Sequence, residues 1–206
     1  MRAQLKALWP LGAAIALALP VPLLNLHFIR TESAPIGLWR AHSGAPVVGD
    51  VVRFCMREAE ARTTAGRPYA GGRRRGPCPH GTWMLAKPVV AGAGDTVIHT
   101  QTGVWINGWM LPRSGTRPRD SAGWPVPAST FGLIVLGPGE VWLHSPYAEG
   151  SFDSRYLGVV RRDQISGTMQ PLLTWLTDRQ RSSLRARGLR PTRCGPVACV
   201  QRSRLE

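Results

Sequence analysis

Residues 104–111 read Val-Trp-Ile-Asn-Gly-Trp-Met-Leu, two apolar runs joined by Asn107 and Gly108. Asn-Gly between apolar runs is the strongest short-range signal for a β-hairpin, because both residues tolerate the positive φ angles of a tight turn. Short apolar or β-branched runs bounded by turn residues lie on both sides of this hairpin. They cover residues 47–54, 83–90, 96–99, 131–136, 140–144 and 157–160. About seven short strands separated by turns predict a compact, mostly-β domain.

The composition agrees with one β-rich domain plus appendages. The chain has 206 residues, of which 43% are hydrophobic, with 23 Gly and 18 Pro. These values argue against a helical bundle, a disordered tail, a collagen-like chain and a disulfide scaffold. The 26 Lys and Arg against 12 Asp and Glu give a formal charge of +14. Such a charge favours anionic partners, phospholipid head groups or nucleic acid, without naming either.

An apolar run without charged residues extends from Ala7 to Ile29. It is long enough to cross roughly 30 Å of hydrocarbon as a helix, so residues 1–29 are predicted to be a membrane anchor. Arg2 and Lys6 precede the run, and the positive-inside rule then places the rest of the chain across the membrane. Two alternatives stay open: a signal peptide cleaved after the A-x-A pattern at residues 16–18, and a buried helix of a soluble domain.

The four cysteines, Cys55, Cys78, Cys194 and Cys199, would lie in an oxidising compartment if that topology holds. Proximity in sequence favours the pairs Cys55–Cys78 and Cys194–Cys199, although four cysteines permit three connectivities. Zinc is the competing interpretation, but the spacing lacks paired C-x2-C motifs. We therefore predict disulfides and no metal site.

The pattern changes at Pro171. Leu172, Leu173, Trp175 and Leu176 are typical of the start of an apolar helix, and eight arginines follow between Arg179 and Arg204. Residues 171–206 are predicted to be a peripheral basic tail, solvated or at a lipid surface, in preference to a nucleic-acid-binding segment. Residues 58–81, which carry the Arg73–Arg75 cluster, are predicted to be an exposed loop.

Ser33 and Lys87, which both follow the apolar run, are candidate catalytic residues. Ser33 lies in a turn fixed by Pro35 and Gly37, just beyond the predicted anchor, although serine is also an ordinary turn residue. Lys87 lies in the apolar run Trp83–Val90. Lysine is rarely buried without a reason, and the alternative is an edge-strand lysine that prevents aggregation.

A serine hydroxyl needs a base to act as a nucleophile. The five histidines are scattered, and none forms a motif with a serine and an acid. A desolvated lysine is the known alternative base. Lowering its pKa by about 3 units takes roughly 4 kcal/mol, which burial among apolar strands can supply.

A third polar element, residues 150–158, places Ser151, Asp153 and Arg155 in a short turn. Its structural interpretation is a turn held by an Asp–Arg ion pair. Its functional interpretation is a scaffold that orients a catalytic amine.

Taken in order, these elements resemble the type I signal peptidases, and more closely their TraF-like conjugative-transfer subgroup. The similarity runs from about Leu8 to Gly167. Each motif alone is weak, but four in this order after an apolar segment are specific. The resemblance implies a serine/lysine dyad protease whose mostly-β catalytic domain, residues 30–170, follows an N-terminal transmembrane helix and faces the periplasm. The matching motifs are Ser33-x-Pro35-x-Gly37-x-Trp39, Gly49-Asp50-Val51-Val52, the stretch 87–95 from Lys87 to Asp95, and Ser151-Phe152-Asp153-Ser154-Arg155.

Carried over to this sequence, the resemblance makes Ser33 the nucleophile and Lys87 the general base, which acts uncharged. The hydroxyl of Thr31 matches a position that assists the oxyanion hole. No cofactor is implied.

The same resemblance gives supporting roles to the polar turn. Ser151 matches a hydroxyl that positions the lysine, and Asp153 and Arg155 match a supporting ion pair. The TraF-like subgroup makes the aspartate important for activity, so Asp153 joins the predicted catalytic set.

Departures from ordinary signal peptidases favour the conjugative subgroup. Residues 144–151 replace the usual Gly-Asp-Asn stretch, Pro88 follows the lysine where arginine is usual, and a cysteine-bearing insert separates Cys55 from Cys78. The resemblance implies a peptidase of the bacterial inner membrane that matures the pilin precursor of a conjugation or type IV secretion apparatus, with or without ring closure. Alternatives are a general signal peptidase and a non-catalytic assembly factor; direct nucleic-acid binding is not expected.

Overall fold

A computed structural model describes residues 25–67, 75–120, 122–126, 128–186 and 188. This part of the chain is mostly β, as predicted. In chain order its elements are β1 (Leu26–Ile29), β2 (Ile36–His42), β3 (Val51–Phe54), α1 (Glu58–Thr63), β4 (Leu85–Ala91), β5 (Thr96–His99), β6 (Val104–Ile106), β7 (Trp109–Met110), β8 (Gly132–Val135), β9 (Glu140–Leu143), α2 (Ser154–Leu157), β10 (Val160–Arg161), a 3-10 turn (Arg162–Gln164), β11 (Ile165–Trp175) and α3 (Asp178–Ala186).

The described strands form two antiparallel sheets. The larger sheet has seven strands in the order β1-β2-β11-β3-β4-β9-β10, and the smaller has four in the order β7-β6-β5-β8. β4 pairs with β3 over residues 85–88 and with β9 over residues 89–91. Within the described residues, the first half of β4 therefore has an unpaired backbone edge on the side away from β3, which is where the candidate site lies.

The hairpin at residues 104–111 is confirmed. β6 and β7 pair across Asn107 and Gly108, which have φ angles of 51° and 83°. Both central residues thus occupy the left-handed region that a type I′ turn requires. The run at residues 96–99 is confirmed as β5, with the bounds that the sequence predicts.

Two local predictions are wrong. Residues 157–160 were expected to be a strand, but Leu157 ends the helix α2, which Asp153 caps by accepting a hydrogen bond from Arg155 N. Only Val160 and Arg161 then form the short strand β10. The segment 58–81 is not wholly loop, because α1 occupies its first six residues and buries Ala61.

The predicted boundary at residue 170 falls inside a strand. β11 runs through Pro171 to Trp175, pairing with β2 on one side and β3 on the other, so the expected apolar helix from Leu172 is wrong. Backbone pairing with β2 makes this segment part of the larger sheet. Residues 178–186 do form a helix, α3, but it buries Gln180 and Leu184 completely instead of lying apart from the domain.

The apolar run at residues 7–29 ends as a strand. Leu26–Ile29 pairs with Gly37–Arg40 of β2, so these four residues are not the end of a helix. The remainder of the run, residues 7–24, lies outside the described residues. None of the helices in the described ranges has the length and apolar character needed to cross a bilayer.

A disulfide joins Cys55 and Cys78, as the sequence predicts, with a sulfur–sulfur distance of 2.09 Å. It links the end of β3 to the segment that leads into β4 and encloses α1. Cys194 and Cys199 lie outside the described residues.

Candidate active site

Ser33 lies in the turn between β1 and β2, and the motif residues around it hold that turn. Trp39 is fully buried and its indole Nε1 donates a hydrogen bond of 3.1 Å to Pro35 O. Gly37 has a φ of 139°, and a Cβ there would collide with the carbonyl oxygen of Leu173 on β11. The Pro-x-Gly-x-Trp pattern thus fixes the course of the chain immediately after Ser33.

Lys87 comes from the middle of β4, beside Leu85 and Val89, which belong to the main apolar core. Its register partner on β3 is Val52, also a core residue. Since alternate residues of a strand share a face, Lys87 projects on the same side as this core and is only 4% exposed. It is not the solvated edge-strand lysine that the sequence left open.

The fold brings the serine and the lysine into contact. A hydrogen bond of 2.6 Å joins Lys87 Nζ and Ser33 Oγ, between residues 54 positions apart in sequence. Burial lowers the pKa of Lys87 from its ordinary value of 10.5 to about 8; Asp153 opposes this change and Arg155 adds to it. An amine with such a pKa is available in its neutral form near physiological pH, as a general base requires.

Ser151 completes the immediate contacts of the nucleophile. Its hydroxyl is buried and donates a hydrogen bond of 3.2 Å to Ser33 Oγ. Ser151 was expected to position Lys87, and the structure shows it in direct contact with the nucleophile. Thr31 lines the same cleft as Ser33.

Asp153 and Arg155 form a fully buried ion pair close to the dyad. Arg155 Nε and Nη2 donate to the two carboxylate oxygens of Asp153 at 2.8 and 3.1 Å. Arg155 Nη2 also donates to Ser151 O at 3.0 Å. The pair therefore connects the helix α2 to the residue whose hydroxyl contacts Ser33.

Asp153 and Arg155 each keep the other in its charged form. Burial alone would raise the pKa of Asp153, but the Arg155 guanidinium and His144 hold it well below its usual range. Burial alone would lower the pKa of Arg155, but the Asp153 carboxylate raises it. His144 Nδ1 lies 3.4 Å from Asp153 Oδ2, so the structure places this histidine against the acid, while the hydrogen bonds of Ser33 Oγ run to Lys87 and Ser151.

Ser145 is a site residue that the sequence did not single out. Its buried hydroxyl donates a hydrogen bond of 2.8 Å to Ser33 O and accepts one of 3.2 Å from Tyr147 N. Its backbone N–H donates to Asp153 Oδ2 at 3.2 Å. Ser145 therefore connects the ion pair to the backbone of the nucleophile; it has no motif of its own that could have revealed it.

Gln180 is a second such residue, and it comes from the segment that was expected to be peripheral. Its Nε2 donates to Glu32 O at 3.1 Å and to Ala34 O at 2.7 Å, the carbonyls on either side of Ser33. Gln180 and Thr177 form reciprocal hydrogen bonds at the start of α3. The pattern Thr177-x-x-Gln180 is a capping-box signal that could have located this helix start.

Ser33 and Lys87 open into a cleft of about 1070 Å³. Its walls come from β1, the Ser33 turn, residues 83–87 and residues 148–152. β1 is one edge strand of the larger sheet, and residues 85–87 pair on one side only among the described residues. Such unpaired strand edges are the kind of surface to which an extended peptide can add by backbone hydrogen bonding.

Across the described ranges, no group of three His, Cys, Asp or Glu side chains could hold a metal ion. The chemistry that the arrangement can perform with its own groups is nucleophilic attack by Ser33 with proton transfer to Lys87.

Comparison with known proteins assigns the family. The model of the family described as "Signal peptidase, peptidase S26" matches residues 28–175, from β1 to the end of β11. The chain belongs to the signal peptidase family S26. Its predicted place in the TraF-like conjugative-transfer subgroup is also confirmed, by the relatives that follow.

Several TraF proteins are similar over most of the chain. A "Plasmid transfer protein TraF" of Escherichia coli is 39% identical over 167 residues, which cover 80% of this chain and 92% of the relative. A "Probable conjugal transfer protein TraF" of Sinorhizobium fredii is 38% identical over 155 residues, covering 70% and 75%. A "Conjugal transfer protein TraF" of Agrobacterium fabrum is 31% identical over 183 residues, covering 84% and 97%.

Among solved structures, a signal peptidase I of Enterococcus faecalis aligns with 62% of this chain and 98% of its own. The sequence identity is 17% and the TM-score is 0.33.

Proposed function

We propose that this S26-family chain is a membrane-anchored serine endopeptidase that processes the pilin precursor of a conjugative transfer system. The observation that carries the proposal is the 2.6 Å contact between Ser33 Oγ and the Nζ of a lysine that is 4% exposed. A surface lysine would have a pKa near 10.4 and would be protonated at neutral pH. Burial in the apolar core is what makes Lys87 usable as a base.

The proposed reaction begins when neutral Lys87 accepts the proton of Ser33 Oγ, which attacks the scissile carbonyl carbon. The oxyanion that forms is stabilised by the backbone N–H of Ser33 and the hydroxyl of Thr31. Collapse breaks the carbon–nitrogen bond, and the Lys87 ammonium returns its proton to the leaving amine. The product is a serine ester of Ser33 and a free amine.

The ester is then released by one of two nucleophiles, each deprotonated by Lys87. Water gives a linear peptide. An amine at the other end of the same substrate gives a ring, whose mass is lower by one water than that of the linear peptide. Both routes regenerate the Ser33 hydroxyl and neutral Lys87.

Three observations support a position at the bacterial inner membrane with the catalytic domain in the periplasm. The residues that precede β1 form the charge-free apolar run, and the Cys55–Cys78 disulfide suits an oxidising compartment. Exposed apolar side chains also lie where that run enters the domain: Phe28 is 52% exposed and its ring centroid lies 5.9 Å from that of Trp175. Apolar surface of this kind suits contact with the bilayer interface.

The proposal is tested by following the pilin precursor by intact mass in membranes that contain wild type, Ser33→Ala or Lys87→Ala. We expect processed pilin with wild type and uncut precursor with both variants, each inserted at equal amounts. A product lighter by one water than the linear form indicates ring closure. Processing by both variants would reject the dyad and favour the scaffold alternative.

A further inference from the structure

The substrate cleft contains a cation that the dyad does not use. Arg53, on β3, lines the cleft together with Ser33 and Lys87. Its register partner is Ala86, the residue directly before the general base. Directly opposite residues share one face of a sheet, so Arg53 and Ala86 project from the face opposite to that of Lys87, and the cleft reaches both faces.

The guanidinium of Arg53 has little compensation from the protein. Its Nη1 lies against the ring of His27 on β1, 2.9 Å from Nδ1 and 2.8 Å from Nε2. Its Nε is buried and has no hydrogen-bond partner. No Asp or Glu within the described residues forms an ion pair with it. Glu32, the one acid among the described residues that line the cleft, is engaged instead by Arg179 at 3.3 Å.

Such a cation is unfavourable until an anion arrives. Placing a guanidinium in a partly buried site without a counter-charge costs free energy, which a bound carboxylate would recover through charge-assisted hydrogen bonds. Burial lowers the pKa of Arg53, and burial and the nearby arginine lower that of His27. A neutral imidazole places no second positive charge beside the guanidinium, and its contact with Nη1 restrains the Arg53 side chain.

We propose that Arg53, oriented by His27, binds a carboxylate of the substrate peptide and makes the enzyme selective for substrates that carry one near the scissile bond. This inference rests on the proposed endopeptidase function. The carboxylate has two possible sources, an acidic side chain and the C-terminus of the peptide. Because Arg53 lines the same cleft as Ser33 and Lys87, the carboxylate should lie near the scissile bond.

The test uses the full-length chain in neutral detergent micelles and peptides that span the pilin processing site. In one series each position is Asp or its neutral isostere Asn, and in a second series the C-terminus is a carboxylate or an amide. The kcat/KM values are compared for wild type, Arg53→Gln, Arg53→Lys and Arg30→Gln. Arg30 is the matched control, because it lines the same cleft but is exposed.

For wild type and Arg30→Gln, we expect that at one position, or at the C-terminus, the charged peptide has a kcat/KM about 10- to 100-fold higher than its neutral counterpart. This range is typical of a hydrogen bond to a charged group. Arg53→Gln should lose that preference and retain its rate on the neutral peptides. Arg53→Lys should show an intermediate preference, because it keeps the charge but not the fork. The series that responds identifies the source of the carboxylate. Equal charged-to-neutral ratios for wild type and Arg53→Gln in both series would overturn the proposal.

A binding arm separates this inference from the proposed reaction. The same peptides are titrated against Ser33→Ala and Ser33→Ala/Arg53→Gln, and the Kd is measured by fluorescence anisotropy. If cleavage is absent but the Arg53-dependent preference for charge persists in binding, the proposed activity is wrong and the carboxylate site is correct. If cleavage occurs without any such preference in rate or binding, the site is wrong and the activity stands.

Discussion

Two buried polar pairs, Asp153 with Arg155 and Lys87 with Ser33, lie close together in this domain. Burial leaves the first pair charged and shifts the lysine of the second toward its neutral form. Asp153 and Arg155 are both 0% exposed, and they share a bidentate contact that keeps both of them charged. Lys87 is 4% exposed, and its close partner is the neutral hydroxyl of Ser33. Burial is the largest influence on all three titratable groups, yet only Lys87 moves toward its neutral form.

The difference shows why an acid near a catalytic lysine need not keep it protonated. Asp153 acts to raise the pKa of Lys87, while Arg155 acts to lower it. Because Arg155 contacts both carboxylate oxygens, it offsets part of the influence that Asp153 has on Lys87. Burial then decides the state of the amine, and the ion pair serves as a neutral support for Ser151 and Ser145.

The most severe disruption of this arrangement is Lys87→Met. We expect peptidase activity to fall by about 10⁴-fold or more, because neither proton transfer has a base or an acid. The free energy of unfolding at pH 7 should nevertheless rise by up to about 3 kcal/mol, since burial that shifts a pKa from 10.5 to about 8 opposes folding of the protonated amine. Urea denaturation measures this change.

The sign of the pH dependence provides the control for Lys87→Met. The folded state binds its Lys87 proton more weakly than the unfolded state, so wild-type stability should increase as the pH rises from about 8 to 10.5. The variant should lack this increase. Arg40→Met, which removes an exposed cation from β2, should retain it. A wild-type stability that falls over this range would contradict the assignment.

The second disruption removes the charge balance. Arg155→Gln leaves Asp153 buried with its main partner gone, which should lower the free energy of unfolding by about 3 to 5 kcal/mol. It should also raise the pKa of Lys87, because Asp153 is no longer opposed. The rising limb of the kcat/KM profile against pH should therefore move to higher pH.

Arg161→Gln is the matched control for Arg155→Gln. It breaks an ion pair with Glu140 in which the arginine side chain is 64% exposed, and such pairs contribute about 0 to 1 kcal/mol. The pH profile should stay unchanged. If Arg155→Gln leaves the profile in place as well, the pair does not influence the amine.

The smallest of these effects concerns the turn that holds Ser33. Gln180→Leu removes the donors to Glu32 O and Ala34 O, and should cost about 1 to 3 kcal/mol of unfolding free energy. We expect kcat to fall about 10-fold with little change in KM, because the nucleophile loses its orientation and the cleft does not. Gln180→Asn keeps the amide on a side chain that is one methylene shorter. Its amide should not reach Glu32 O and Ala34 O, so kcat should stay as low as in Gln180→Leu.

Arg179→Gln controls for the neighbouring contact of α3. It breaks the ion pair between Arg179 and Glu32, in which the arginine side chain is 82% exposed, and should leave both kcat and KM unchanged. Equal losses of kcat in both variants would show that α3 acts only through general stability.

The sequence predicted the parts of the fold that depend on local signals. Asn107-Gly108 defines its own turn, and residues 96–99 form a strand between clear turn residues. β11 was missed because Gly167 and Pro171 interrupt its pattern, and a proline lacks the N–H that an interior strand position uses. Its β structure depends on pairing with β2 and β3, which no local pattern records.

In the candidate site, too, residues in local motifs were predicted and residues that depend on tertiary contacts were not. Ser33, Lys87, Ser151 and the ion pair were located through motifs, and the structure brings all of them together. Ser145 and Gln180 could not be recognised as site residues, because each acts on a backbone carbonyl that only the tertiary fold brings within reach.

Burial is proposed to lower the pKa of Lys87 to about 8, so that part of the amine is neutral near physiological pH, and this pKa can be measured directly. Lys6 and Lys87 are the lysines of the chain, so Lys6→Arg leaves a single lysine signal. The full-length variant, labelled with ¹³Cε-lysine and held in micelles, is titrated by NMR. We expect a midpoint of about 8, with kcat/KM for peptide cleavage rising over the same range. A midpoint near the ordinary value of 10.5 would contradict this proposal, since Lys87 would then be protonated at every pH where the peptidase is proposed to act.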